Sequence, residues 1–443
     1  MTQILIRGGR VIDPSSGLDQ VTDLAISAGQ IVSIGPDASA ALSSAQLSQA
    51  TIIEAQSHWV IPGLVDLSAR LREPGFEYKA TLESEMQAAI AGGVTALSCP
   101  PDTDPVLDEP GLVQMLKHRA RGLKQAHLFP LGALTVGLKG EILTEMAELS
   151  EAGCVGFSQA NMAMVDTQIL LRAMQYAHSF GFTVWLQPQD PHLSRGGVAH
   201  SGSTASRMGL TGIPVTAETV ALHTILELVR STQCAVHLCR LSSAAGIALV
   251  RAAKKEGLPV TADVAIHHTL LCDVDIGYFD SNYRVDPPFR SQRDRDAILS
   301  GLADGTIDAI CSDHTPVDDD AKLLPFAEAQ PGLTGLEMLL PLGLKLVEAG
   351  HLDAMRLIRC LSTAPAKILS ASHGKPQAKP SAVPSHLGKL SSGMIADVVV
   401  VDPRKEWMPD AKSLRSQGKH TPFSQTEVQG RAVAVIVQGQ SLL

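Results

Sequence analysis

A parallel (β/α)8 barrel carrying a small β-sandwich is the fold that this sequence predicts. Three observations lead there. Eight apolar, strand-length runs alternate with helix-period stretches through the middle of the chain. Both ends are instead made of short β-rich runs punctuated by Gly, Pro and Ser. The length, 443 residues, holds one large barrel plus a smaller unit.

Residues 1–56 read as half of the sandwich, with strands at 3–7, 10–13, 23–26 and 30–34. The barrel is expected over 57–369. Its strand candidates are 59–67, 94–99, 127–134, 154–158, 183–187, 234–241, 260–266 and 308–311. Helical periodicity fills the gaps, as at 82–91, 216–230 and 244–256. Gly92-Gly93 stops a helix ahead of the second strand. Residues 370–385, SASHGKPQAKPSAVPS, read as a flexible linker. Residues 386–443 return to the first style and complete the sandwich, with β-branched runs at 396–402 and 432–439.

Composition narrows the function classes. Apolar residues make up 45% and charged residues 18%, the profile of a globular chain with a sizeable core. Aromatics are only 4%, so that core is aliphatic. The net charge of −9 is spread along the chain, which argues against a nucleic-acid or anionic-membrane surface. No apolar run approaches the roughly 20 residues of a membrane span, and the N-terminus lacks a signal-peptide core, so a cytoplasmic location is expected. Seven cysteines without a CxxC pair read as buried thiols in a reducing compartment.

Residues just past the C-terminal ends of barrel strands line the mouth of such a fold. Here those residues include Ser68 and Arg70 after Asp66, and Gln159 in Phe157-Ser-Gln-Ala-Asn161. They also include Gln187 in Trp185-Leu-Gln, Arg240 in His237-Leu-Cys-Arg, and Asp313 in Ser312-Asp-His-Thr-Pro316. A serine hydroxyl is a poor zinc ligand, and a guanidinium cannot ligate because it does not deprotonate.

Five blocks give these positions a context. Leu71-Arg-Glu-Pro-Gly-Phe-Glu-Tyr-Lys79, Ala91-Gly-Gly-Val-Thr95, Asp286-Pro-Pro-Phe-Arg290, Ser312-Asp-His-Thr-Pro316 and Gly335-Leu-Glu337 resemble, in order, the blocks of the dihydroorotase family within the amidohydrolase superfamily. The resemblance implies a barrel with a flanking sandwich and a link to pyrimidine biosynthesis, where dihydroorotase interconverts carbamoyl aspartate and dihydroorotate. It also implies a zinc site that this chain has lost. In the family the first strand ends in Asp-x-His-x-His, an acidic pair follows the fourth strand, and further ligand histidines end the fifth and sixth. Ser68, Arg70, Gln159, Gln187 and Arg240 occupy those positions. Asp313 matches a metal ligand and general base. Arg72 matches an arginine that clamps the substrate carboxylate. Asp102, Asp286 and Val317 replace further substrate-side residues.

One carboxylate cannot hold a catalytic zinc, so no metal and no cofactor is expected, and Asp313 and Arg72 are read as vestigial. His192, His200, His267, His268 and His314 are read as structural rather than as a new metal centre, and adjacent His267 and His268, if on a strand, face opposite ways and cannot share one ion. Inactive dihydroorotase-like chains associate with aspartate transcarbamoylase, so the resemblance implies that partner and a homo- or hetero-oligomer. Two alternatives stand beside this pseudo-enzyme reading. One is an active cyclic amidohydrolase with an unconventional or absent metal. The other is a metal-free homo-oligomeric scaffold similar to the dihydropyrimidinase-like proteins. The expected arrangement of the emptied site is an internal ion pair, with Arg70 or Arg240 reaching Asp313.

Overall fold

The computed structural model describes residues 3–371 and 383–443. The linker expected at 370–385 falls mostly outside the described residues. Its first two positions close the helix Ala364–Ala371.

Eight parallel strands form the barrel, all within the expected segments. They are Leu64–Asp66, Val94–Cys99, His127–Pro130 continued by Gly132–Ala133, Phe157–Ser158, Val184–Leu186, Val236–Leu238, Val260–Ala265 and Ala309–Cys311. The third strand pairs with the second over its first half and with the fourth over its second half. A bridge from Ala69 to His314 closes the ring between strands one and eight. Helices cover the outside. Leu82–Ala91 starts in a capping box in which Thr81 and Ser84 satisfy each other's backbone amides. Val215–Thr232 and Ala244–Glu256 bury aliphatic stripes such as Leu222, Ile225 and Val229 against the strands.

The run expected as one strand at 59–67 divides. Trp59–Pro62 joins the terminal sheet, and only Leu64–Asp66 enters the barrel. Gly63 is the joint, and a Cβ there would collide with the side chain of Thr95. The terminal sheet therefore reaches beyond residue 56. Its first two expected strands are one, Gln3–Asp13, whose register shifts between Ile6 and Gly9 around Gly8 at φ +65°. Strands of both termini share an eight-stranded sheet with Val398–Trp407 and Val428–Val437 at its C-terminal side. Its path curls back on itself, because Gln30 bridges Ile395 and Ile31 donates to the carbonyl of Met394. Ile4, Leu24, Val60, Val398 and Ile436 pack in the apolar core of this sheet.

Polar bolts join the two parts. Asp397, just ahead of the strand Val398–Trp407, is 4% exposed and accepts hydrogen bonds from His127 and His386 at 3.0 Å each. Burial opposes its ionisation, but the two imidazoles hold the carboxyl down at about 2, against an ordinary 3.8. A depressed carboxylate contributes stability that is complete above its unfolded value and is lost as pH falls through the folded one. Asp397→Asn is therefore expected to narrow the gap to wild type by about 2 kcal/mol between pH 5 and pH 2. Urea unfolding at several pH values checks this, and a gap that is constant with pH contradicts it.

Residues 415–417 make a second bolt. The amide of Gln417 and the hydroxyl of Ser416 donate to Glu85, and the amides of Arg415 and Ser416 donate to Glu337. Burial pushes the Glu337 carboxyl up to about 7. No helix among the described residues is long and apolar enough to cross a membrane. All seven cysteines are free thiols, six of them buried.

Candidate functional site

The C-terminal ends of the strands converge on a buried knot of polar groups at the barrel mouth. Asp313 lies two residues past strand eight and Arg240 two past strand six. Their φ angles of +47° and +55° swing both side chains across the barrel axis. Arg240 Nη1 donates to Asp313 Oδ1 at 2.9 Å, and both side chains are 5% exposed. Arg70 Nη1 lies 3.7 Å from the same oxygen. The expected ion pair is therefore present, with Arg240 as the close partner. Ser68 Oγ sits 3.5 Å from Asp313 Oδ1. Burial pushes Asp313 up from its ordinary value against the pull of both guanidiniums. Burial works against Arg240, but Asp313 together with the other negative neighbours, Asp286 among them, outweighs it and holds that group more firmly protonated than usual.

Arg70 is shared among three further neighbours. Its Nε donates to Asp102 Oδ2 at 2.8 Å, Nη1 to Thr315 Oγ1 at 3.0 Å and Nη2 to Asn161 Oδ1 at 2.7 Å. Burial opposes the ionisation of Asp102, but Arg70 prevails and lowers its pKa. Asp102, which replaces a substrate-side residue of the family pattern, is the counter-charge of Arg70. Arg240 Nη2 donates to Asn161 Oδ1 and to Gln187 Oε1, each at 2.6 Å. Asn161 Nδ2 closes the knot by donating to Asp286 at 2.9 Å.

Gln159 is a correction. It takes no part in the knot. Its carbonyl accepts from Thr135 at 3.0 Å, and its amide donates to the carbonyl of Leu138 at 2.8 Å. The cause is local: strand four ends at Ser158, and Ala160 takes a left-handed φ of +50°, which turns Asn161 inward instead. Sequence reasoning passed over Asn161, whose signal was a lone amide two residues beyond the lost acidic position.

The remaining candidates lie in the framework around the knot, where neither buried ring nitrogen of His267 has a hydrogen-bond partner among the described residues. His314 Nδ1 accepts the amide of Gly335 at 3.0 Å, which fixes Nε2 as the donor to Glu85 at 2.5 Å. His237 bridges Thr261 and Asp263. His267 and His268 occupy a short 3-10 turn, Ile266–Thr269, rather than a strand, so their rings lie side by side with centroids 4.7 Å apart. Burial lowers both pKa values, His268 to about 4, which keeps the pair neutral. His200 lies 3.4 Å from an Arg290 nitrogen, and His192 is on the surface beside Arg195. Above the knot a cavity of about 230 Å³ is lined by Arg70, Arg72, Lys79, Asp102, Asp286 and Asp313. Arg72 Nε donates to the carbonyl of Pro316 at 2.8 Å, and burial lowers its pKa to about 10.

These residues do not fit the zinc that the resemblance implies. The ligand-position atoms are a hydroxyl, two guanidiniums and an amide already hydrogen-bonded to one of those guanidiniums. Asp313 is occupied by Arg240. The arginine head group takes the place of the ion as a fixed cation among the strand ends.

Comparison with known proteins places this geometry. A dihydro-orotase-like family model matches residues 57–245. A dihydroorotase-like protein of Pseudomonas aeruginosa is 44% identical over 436 residues, covering 98% of each chain. A dihydroorotase of Geobacter sp. is 38% identical over 437 residues, covering 99% of this chain and 98% of the relative. In three dimensions the fold is similar to the L-hydantoinase (dihydropyrimidinase) of Arthrobacter aurescens, with a TM-score of 0.85 at 22% identity over 100% of this chain and 96% of that one. The D-hydantoinase of Thermus sp. has a TM-score of 0.79 at 22% identity, over 99% and 95% of the two chains. With the barrel, the terminal sheet and near-full-length kinship to dihydroorotase-named proteins together, the chain belongs to the dihydroorotase-like family of the amidohydrolase superfamily.

Proposed function

We propose that this chain is a catalytically inactive family member in pyrimidine biosynthesis, retained as an assembly partner of aspartate transcarbamoylase. The observation that carries the inactive half is the Arg240–Asp313 pair at 2.9 Å, where an active relative needs a free carboxylate and a dication. Around it Arg70, Asn161 and Gln187 are committed to the knot. The preserved blocks act structurally. Glu337 of the Gly-Leu-Glu block caps the amides of Arg415 and Ser416, and His314 of the Ser-Asp-His-Thr-Pro block holds Glu85. A family fold kept intact around an emptied mouth fits a protein selected for its surface rather than its chemistry.

The partner follows from the family resemblance. Untagged protein from its native host is expected to co-elute with aspartate transcarbamoylase in gel filtration, and deletion of its gene to reduce the size of that enzyme's assembly. A chain that elutes alone, with the enzyme's assembly unchanged by deletion, rules the partnership out.

A further inference from the structure

At the opposite end of the barrel from the mouth lies a second cluster, drawn from three distant stretches of the chain. His127 opens strand three, His386 precedes the C-terminal strands, and Asp397 stands at their start. Both imidazole Nε2 atoms lie 3.0 Å from one oxygen, Asp397 Oδ2. The three candidate ligand atoms all fall within 4.8 Å of one another, and the two rings are 5.9 Å apart at 62°. The carboxylate is fixed in place, because its other oxygen accepts the amide of Gln438 at 2.8 Å.

We propose that His127, His386 and Asp397 form a site for one divalent transition-metal ion of the zinc type, which staples the barrel to the terminal sheet. Two imidazoles and one carboxylate are a recurring face for such ions. Tetrahedral ligands about 2.1 Å from an ion lie about 3.4 Å apart, so each imidazole nitrogen, now 3.0 Å from the shared oxygen, needs to move outward by only a few tenths of an ångström to admit one. The amide of Gln438 is the outer-shell support that metal-bound carboxylates require. His127 also lines a cavity of about 480 Å³ whose wall carries Lys117, Arg121 and Lys124. The amine of Lys117 is engaged by the carbonyl of Gly153 at 3.0 Å. Open coordination positions on the ion would face this cavity, where the basic wall favours water or an anion as the completing ligand. The metal-free expectation drawn from the mouth is then confined to the mouth.

The test uses the full-length protein, stripped by chelator and titrated with Zn2+ in a calorimeter. One equivalent is expected, with a higher melting temperature. Binding should be at least tenfold weaker in His386→Gln and unchanged in the double variant Arg240→Met, Asp313→Leu, which removes the mouth carboxylate together with its partner. Because His386→Gln also loses a hydrogen bond, the unmodified chain is titrated with Co2+ in parallel. A saturable visible absorption, displaced by Zn2+, is expected. Absence of saturable uptake and of the cobalt band, or equal affinity in wild type and His386→Gln, means a hydrogen-bonded triad only and overturns the proposal. Uptake lost in that double variant while it remains folded also overturns it, by placing the ion at the mouth.

Discussion

Replacing Arg240 with methionine is expected to lower the free energy of unfolding by about 3–5 kcal/mol. Methionine keeps much of the buried stem, so the loss is mainly electrostatic. Asp313 would keep only the Ser68 hydroxyl at 3.5 Å and the more distant Arg70 guanidinium at 3.7 Å. Gln187 Oε1 would lose the donor that lies 2.6 Å away. A buried charge stripped of its partner is the expensive case, whereas removing both partners is often tolerated. The double variant Arg240→Met, Asp313→Leu should therefore unfold at a higher urea concentration than Arg240→Met alone. Urea titrations of the two singles and the double complete the cycle. A single-variant loss below about 1 kcal/mol, or strict additivity, would show that the pair is ornamental.

The second large effect is on chemistry. Neither cyclisation of carbamoyl aspartate nor opening of dihydroorotate is expected above background, even with Zn2+ or Mn2+ added in excess. A metal in this superfamily's reaction supplies a Lewis acid and a water of low pKa. Enzymes commonly gain more than about 10⁶-fold over the uncatalysed reaction. A general base alone contributes roughly 10²–10⁴-fold, and Asp313 cannot supply even that while Arg240 occupies it. Steady-state assays in both directions decide the matter. Turnover that vanishes in Asp313→Asn would establish an active enzyme and refute the proposed function.

Much of this molecule was legible in its sequence, for definite reasons. The barrel strands are short continuous apolar runs, and strict alternation with helical periods marks a parallel sheet buried on both faces. Strand ends then point at the mouth whatever the loops do, so the approach of Arg240 to Asp313 could be expected from position alone. What was not legible depends on single backbone angles. Gln159 and Asn161 exchange roles because Ala160 adopts a left-handed φ. The division at Gly63 depends on the close approach of Thr95. Asp102 appeared as an unmatched negative charge because no pattern in the chain shows which guanidinium will meet it. The His127–His386–Asp397 cluster is spread over 270 residues of sequence, with no local spacing to betray it.

Asn161 has an evolutionary consequence. Its single carbonyl oxygen holds two guanidiniums, from Arg70 at 2.7 Å and Arg240 at 2.6 Å, while its amide holds Asp286. A histidine at position 70 removes the guanidinium that donates to Asp102 at 2.8 Å. Restoring one at position 240 leaves Asp313 nearly without a counter-ion, and neither change alone creates a metal site. Each step back passes through a less stable chain with nothing gained in return. The knot works as a ratchet: with both arginines meeting on one asparagine, any single replacement toward the family's histidine pattern runs uphill in stability.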